Sequence, residues 1–178
     1  MAADIKEPWL NYLALTTVIF AVCATLATFK GGGFSTRSVL SQTQASDQWA
    51  FYQAKAIKSY LYEMQADKLE MDMLALTNKD QGSAANAYKE KIADYEMKVK
   101  KYEKEKTDIK QEAKKLEQIR DSAQANAKKF GMAVIFLQIT ILLSSIAGLL
   151  RKKPVWYFSL MFGVLGLVYF ADGFLLFM

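Results

Sequence analysis

The sequence predicts an all-α membrane protein with three transmembrane helices and a long antiparallel coiled-coil hairpin between the first and the second. Hydrophobic residues make up 52% of the 178 residues. They concentrate in three blocks, at 9–29, 130–150 and 155–178, and each block is long enough to cross a hydrocarbon core as a helix. Between the first two blocks, apolar residues recur at alternating spacings of three and four, which is the pattern of a coiled coil.

The first block predicts a transmembrane helix over residues 9–30, preceded by a polar tail at 1–8. Trp9 and Tyr12 are aromatic residues of the kind found at membrane interfaces. The block is longer than the apolar core of a signal peptide and lacks a strongly basic leader, so we expect it to be retained. Because glycine is unfavourable in a helix, the three glycines at 31–33 predict that this helix ends and that another begins after them.

Residues 31–129 predict an extramembrane hairpin with arms at about 35–77 and 84–129, joined by a polar turn near Gln81. In the second arm, seven-residue steps join Tyr88, Tyr95, Tyr102, Ile109, Leu116, Ala123 and Phe130, with Ile92, Val99, Lys106 and Ala113 at the companion positions.

The first arm has the same spacing, at Val39, Thr43, Ser46, Ala50, Gln53, Ile57, Tyr60, Met64, Asp67, Met71 and Leu74. When the two arms are aligned in antiparallel order, the sequence numbers of each facing pair of residues add to 162 or 163 along the whole length. This constant offset predicts that these two sets form the contact between the arms.

The second arm continues into the second apolar block without a strong helix-breaking signal, so we expect one helix over about residues 84–150. The turn at 151–154 is basic and ends in proline, and the third transmembrane helix follows it. Gly163 and Gly166 lie near one face of that helix, where small side chains let membrane helices approach closely. We interpret both glycines as contacts with the second helix or with another subunit.

A stretch rich in amide and aromatic side chains follows the first block. It comprises residues 45–55 (Ala-Ser-Asp-Gln-Trp-Ala-Phe-Tyr-Gln-Ala-Lys), with Ile-Lys at 57–58 and Leu-Tyr-Glu at 61–63. Together with the flanking helices, this stretch resembles a bacterial membrane-protein family known only as domain of unknown function 4337. The resemblance covers nearly the whole chain and implies a bacterial membrane protein with three spans. It implies no activity, because none is established for that family.

The basic loop at 151–153 is the strongest orientation signal, because short loops rich in Lys and Arg remain in the cytoplasm. We therefore expect a multi-pass protein of the bacterial inner membrane with a periplasmic hairpin. Lys30, Arg37, Lys128 and Lys129 flank the hairpin and oppose this orientation. Long domains translocate largely regardless of charge, so the short loop carries more weight.

Composition argues against several classes of function. The chain has no histidine, which removes the commonest general base and the commonest zinc ligand. No nucleophile is paired with a base, so we expect no enzyme, no cofactor and no metal. The net charge is +5, but acidic and basic residues interleave, as on a salt-bridged helix rather than a nucleic-acid surface. The single Cys23 cannot form an intrachain disulfide.

The first arm carries more apolar surface than one neighbouring helix can cover. Side chains away from the predicted hairpin contact should therefore meet another subunit, a partner or the membrane surface. We assign Gln48, Trp49, Tyr52, Ala56 and Leu61 to that interface. A polar site built on Asp47 and Lys55 is the alternative for this stretch.

Asp172 is the only acidic residue inside an apolar block. An intramembrane carboxylate is a candidate proton or ion site. The alternative is that Asp172 reaches interfacial water, since it lies near the end of the chain. No other charged residue lies within the third helix, so a relay has no evident partner.

These features predict a non-enzymatic, self-associating membrane scaffold or accessory subunit of a larger membrane assembly. Its partners would be membrane lipid and further copies of itself, and nucleic acid is not expected. The alternative function is a small ion or proton transporter or channel that uses Asp172.

Overall fold

The computed structural model describes residues 8–75 and 82–175, with no side-chain description at 83 and 84. Three α-helices follow one another in this part of the chain: α1 (Pro8–Leu74), α2 (Ser83–Leu150) and α3 (Lys153–Leu175). Each is long and apolar enough to cross a membrane. The all-α prediction is therefore confirmed, and the chain is compatible with a multi-pass membrane protein. Most of the predicted tail, the centre of the turn near Gln81 and the last three residues lie outside the described residues.

The prediction that the first helix ends at the glycines of 31–33 is wrong, because α1 continues through them. A Cβ on Gly31 would lie 3.0 Å from Cβ of Phe130, so α2 approaches the backbone of α1 closely here. Phe34 stacks on the same ring, with centroids 5.9 Å apart. This packing offsets the intrinsic cost of glycine in a helix, about 1 kcal/mol per residue. Thr36 lies inside the helix, and its hydroxyl donates to the carbonyl oxygen of Gly32 at 3.0 Å.

The chain divides into two units. The first comprises Met1–Leu40 and Arg120–Met178, and the second comprises Ser41–Ile119.

The first unit contains three successive clusters of buried apolar side chains. They are Trp9, Leu13 and Ala147, then Phe20, Ala24 and Leu137, then Ala27, Phe130 and Ala133. Residues of α3 contact each cluster, for example Trp156 in the first cluster and Leu160 in the second. α3 therefore lies against both α1 and α2 within this unit.

The turn between α2 and α3 is closed by backbone hydrogen bonds. Arg151 has a positive φ of 52°, and the Lys152 amide donates to the carbonyl oxygen of Ala147 at 3.1 Å. This is the pattern of a Schellman C-cap, in which a left-handed residue ends the helix. The predicted basic turn thus has well-defined geometry.

In the second unit, α1 and α2 run in opposite directions. Trp49 contacts Glu117, Ser59 contacts Glu103, and Tyr62 stacks on Tyr102. On α2, the predicted contact positions are shielded: Ile92, Lys106 and Ala113 are buried, and Tyr88, Tyr95, Tyr102, Ile109 and Leu116 are half-buried.

On α1, however, the predicted contact face is wrong. All its residues, from Val39 to Leu74, are exposed. The shielded or half-buried residues include a regularly spaced set: Ser41, Ala45, Gln48, Tyr52, Lys55, Ser59, Tyr62, Ala66, Leu69 and Met73. This inner set has the same three-and-four spacing but starts two residues later, which places it about 200° around the helix.

Size complementarity explains the difference. The contact face of α2 carries a row of tyrosines, so the facing helix needs small side chains to come close. Ala45 and Ser59 are each 1% exposed. Tyr62 is the one large side chain inserted between α2 tyrosines, 5.5 Å from Tyr95 and 5.8 Å from Tyr102 between ring centroids.

Candidate functional site

The exposed side of α1 in the second unit is the most unusual surface of the described chain. We define the outer face as Ile57, Tyr60, Met64, Asp67, Met71 and Leu74. Five of these six are large and apolar, and their exposed fractions range from 57% for Met64 to 83% for Leu74. They lie on the opposite side of α1 from the inner set, and α2 leaves them largely exposed, although the Lys106 ammonium group of α2 reaches the Tyr60 ring at 5.7 Å. A continuous exposed apolar stripe of this kind usually marks a surface that binds another macromolecule.

Two of the residues assigned to a subunit interface contact α2 of the same chain. The Trp49 indole donates to Oε1 of Glu117 at 2.9 Å, and its ring meets Tyr52 edge-on at 5.6 Å. The ammonium group of Lys106 lies over the Tyr52 ring at 5.6 Å. Trp49 and Tyr52 therefore have partners on α2 of the same chain.

The other three assigned residues divide between the two sides of α1. Gln48 and Ala56 are half-buried, whereas Leu61 is 49% exposed and lies next to Tyr60 of the outer face. Of the five assigned residues, only Leu61 adjoins the uncovered surface.

Gly163 and Gly166 form contacts inside the chain. A Cβ on Gly163 would lie 2.5 Å from Cζ of Phe20 on α1, and one on Gly166 would lie 2.8 Å from Cγ of Leu137 on α2. Both glycines are buried. Of the two interpretations of these residues, the structure thus shows the contact between helices of one chain. Ser144 and Ser159 complete this α2–α3 contact, with their hydroxyl oxygens 2.9 Å apart.

Asp172 is buried and forms an ion pair with a residue of another helix. Its side chain is only 3% exposed, and its Oδ2 lies 3.0 Å from the ammonium group of Lys129 on α2. It therefore does not depend on interfacial water, and it has a charged partner from another helix. Antiparallel alignment of α2 and α3 about the basic turn places Lys129 level with Asp172, and this alignment is the sequence signal that identifies the pair.

A group of charged side chains joins α1 to α2. Oε1 of Glu103 accepts from the Ser59 hydroxyl at 2.9 Å and from the Lys106 ammonium at 2.8 Å. Lys55 lies 2.6 Å from Glu105, so the suggested Asp47–Lys55 site has its lysine paired across the helix contact.

These hydrogen bonds shift the ionisation of the group. The bonds from Lys106 and Ser59 hold the pKa of Glu103 below its ordinary value, and the bond to Glu103 raises the pKa of Lys106. The contact with Lys55 likewise lowers the pKa of Glu105. Such shifts fix both partners in their charged forms at neutral pH, whereas a general acid or base needs a pKa near the working pH. The group therefore suits a structural link better than acid–base chemistry.

Among residues 8–75 and 82–175, no group of three or more Cys, Asp or Glu side chains could hold a metal ion.

The comparisons with known proteins assign the chain to a family. A family model described as "Domain of unknown function (DUF4337)" matches residues 9–176. No curated protein and no solved structure matches the chain. The match spans both units and includes the stretch at 45–63 on which the resemblance rests. The chain therefore belongs to the DUF4337 family.

Proposed function

We propose that this protein is a non-enzymatic, self-associating membrane scaffold, or an accessory subunit of a larger membrane assembly. The outer face of α1 is the observation that carries the proposal. Its apolar side chains are exposed on a helix whose opposite side is already covered by α2. Burying such side chains at an interface releases free energy in proportion to the apolar area removed from water, about 25 cal/mol per Å².

In this proposal, α1, α2 and α3 cross the bacterial inner membrane through their apolar segments. The α1–α2 pair of the second unit forms an antiparallel coiled-coil hairpin in the periplasm. The small residues Gly163, Gly166 and Ser159 of α3 are already used within the first unit, since all three are buried. The hairpin is then the part of the molecule that offers a large contact surface.

The first prediction is that the purified protein is a homo-oligomer and that substitutions on the outer face dissociate it. A variant with Ile57→Ser, Met64→Ser and Met71→Ser should weaken association at least about 30-fold, because one hot-spot side chain typically contributes about 2 kcal/mol. Native mass spectrometry in mild detergent and in nanodiscs measures the copy number directly.

The matched control changes the next residue at each site, as Lys58→Ser, Gln65→Ser and Asp72→Ser. These side chains are also exposed but point about 100° away from the outer face. The control should keep the wild-type copy number, and circular dichroism should show equal helicity in both variants. A wild-type protein that is monomeric in both environments would exclude self-association.

Ion or proton transport through Asp172 is the second candidate, favoured by the burial of that carboxylate. The ion pair with Lys129 gives Asp172 a structural role that needs no transported ion. Proteoliposomes that contain a pH-sensitive dye distinguish transport from a structural role of Asp172. A transporter should produce a proton flux, and Asp172→Asn should abolish that flux while the protein remains folded.

A further inference from the structure

We infer that the outer face of α1 binds the same face of a second copy of this chain, as a parallel, in-register helix pair around a two-fold axis. The inference rests on the proposed function and names the partner and geometry of that surface. The resulting dimer would contain four helices in this region, α1 and α2 from each copy, with the two α1 helices in contact.

The spacing of the outer face matches one strand of a coiled coil. Ile57, Met64 and Met71 occupy one core position of successive heptads, and Tyr60, Asp67 and Leu74 occupy the other. The inner set uses an equivalent pattern on the opposite side of α1. The helix therefore has two seams, and α2 occupies only one of them.

The charges beside the outer face are self-complementary. Glu63 immediately precedes Met64, and Lys68 immediately follows Asp67. In a parallel two-stranded coiled coil, residues at these flanking positions face each other across the seam when they are five apart. Glu63 would thus meet Lys68 of the partner subunit, and the two-fold axis repeats the pair.

Both side chains are exposed, and in the described part of the chain neither belongs to a salt bridge. They are five residues apart, so they are poorly placed to pair along their own helix, where partners lie three or four apart. Both charges are therefore free to pair across a new interface.

Insertion in one membrane sets the direction of the pair. α1 is a single helix from Pro8 to Leu74, and its apolar segment precedes the outer face. Two copies inserted in the same orientation therefore send their α1 helices out of the membrane in the same direction. A two-fold axis along the membrane normal then places each residue opposite its own equivalent. Anchoring also raises the effective concentration of the two faces, which helps a seam of only a few heptads to associate.

Asp67 provides a further test of the parallel, two-fold arrangement. It is the one charged residue of the outer face, and the two-fold axis places it opposite Asp67 of the partner subunit. Two carboxylates at facing core positions repel, so a leucine there should tighten the pair.

Site-specific crosslinking in native membranes tests the register. Met64→Cys, in a full-length Cys23→Ala background, should form a disulfide-linked dimer on mild oxidation. Gln65→Cys is the matched control, because it is exposed and adjacent but points away from the seam. Crosslinking of Gln65→Cys at least as strong as that of Met64→Cys would overturn the inference.

Substitutions at Glu63, Lys68 and Asp67 test which side chains face each other in the dimer. Glu63→Lys and Lys68→Glu should each weaken the dimer about tenfold, as two attractive pairs become repulsive. The double variant should restore wild-type affinity, and Asp67→Leu should raise it at least about tenfold. Single-molecule dimerisation in lipid vesicles measures each affinity, with helicity checked by circular dichroism.

The possible outcomes show whether the inferred dimer geometry or the proposed function itself is wrong. An oligomer that survives while Met64→Cys fails to crosslink, and in which the double charge exchange gives no recovery, overturns the inference but leaves self-association intact. A Met64→Cys protein that crosslinks only to a different protein overturns the inference and favours the accessory-subunit role. A monomer under all conditions overturns both self-association and the inference.

Discussion

At the residue scale, the chain uses charged side chains as links between helices. Asp172 pairs with Lys129 between α3 and α2, and Glu103 accepts bonds from Ser59 on α1 and Lys106 on its own helix. Lys106, the one polar break in the α2 contact face, is buried with its charge satisfied in this way. A sequence pattern marks Lys106 as an interruption, but only the position of Glu103 and Ser59 explains why it is tolerated.

Asp172→Asn should destabilise the folded protein by about 3 kcal/mol, because it removes the buried negative charge that the Lys129 ammonium group contacts. The exchange of both residues, Asp172→Lys with Lys129→Asp, should recover most of the loss. Thermal unfolding in detergent, followed by circular dichroism, measures both effects. Lys128→Gln is the control, since Lys128 is exposed and its loss should change little. Equal stability of Asp172→Asn and wild type would contradict a structural role for the pair.

At the scale of the elements, the glycines fall into two classes that the sequence alone does not separate. Gly163 and Gly166 let neighbouring helices approach so closely that a methyl group would overlap them. Gly32, Gly33 and Gly131 have no neighbouring atom within 4 Å of an added Cβ. The first class serves packing, whereas the second only adds flexibility to the unfolded chain and weakens the helix.

Gly166→Ala should therefore destabilise the α2–α3 contact, because its Cβ would also lie 3.1 Å from the backbone nitrogen of Leu137, which cannot rotate away. We expect a cost of about 1–3 kcal/mol, typical of overpacked sites. Gly32→Ala should instead stabilise α1 by about 0.5–1 kcal/mol, as alanine does in an open helical site. Thermal unfolding of the two variants gives opposite shifts. A stabilising Gly166→Ala would show that the helices can separate at no cost.

At the scale of the whole molecule, three apolar helices and the basic turn at 151–153 define the membrane orientation that we propose. With that turn in the cytoplasm, the α1–α2 hairpin of the second unit lies in the periplasm. The outer face would then be available to periplasmic partners or to neighbouring copies, and cytoplasmic proteins would not reach it.

Gly82→Cys, in the Cys23→Ala background, tests this orientation in intact cells. Gly82 is exposed, and an added side chain meets no neighbouring atom. A membrane-impermeant thiol reagent that passes the outer membrane should label it without lysis. Lys152→Cys, in the basic turn, should be labelled only after the inner membrane is opened. The reverse pattern would place the hairpin in the cytoplasm.

The sequence by itself determined the helical type of the chain, its three apolar segments, the approximate bounds of α2 and α3, and the contact face of α2. Hydropathy and length depend on local composition, so three apolar segments could be located without knowledge of their neighbours. On α2, only one face combines large apolar residues with regular spacing, so periodicity alone found it. The same reasoning located the turn at 151–153.

Only the tertiary structure decided which side of α1 faces α2. Both sides of α1 repeat at heptad spacing, and the side with Ile57, Tyr60 and Met64 is the more hydrophobic. The chain instead turns Ser59, Tyr62 and Ala66 toward α2. There Ser59 donates to Glu103, the Tyr62 ring packs against Tyr95 and Tyr102, and Ala66 is small enough to be buried.

The continuity of α1 through its glycines and the partner of Asp172 were settled in the same way. Each involves a residue of another helix, Phe130 beside Gly31 and Lys129 beside the carboxylate. A hydrophobic pattern records how apolar each side of a helix is. It does not record the shape or charge of the surface that will cover that side. In this protein, the shape and charge of α2 determine which side of α1 is buried.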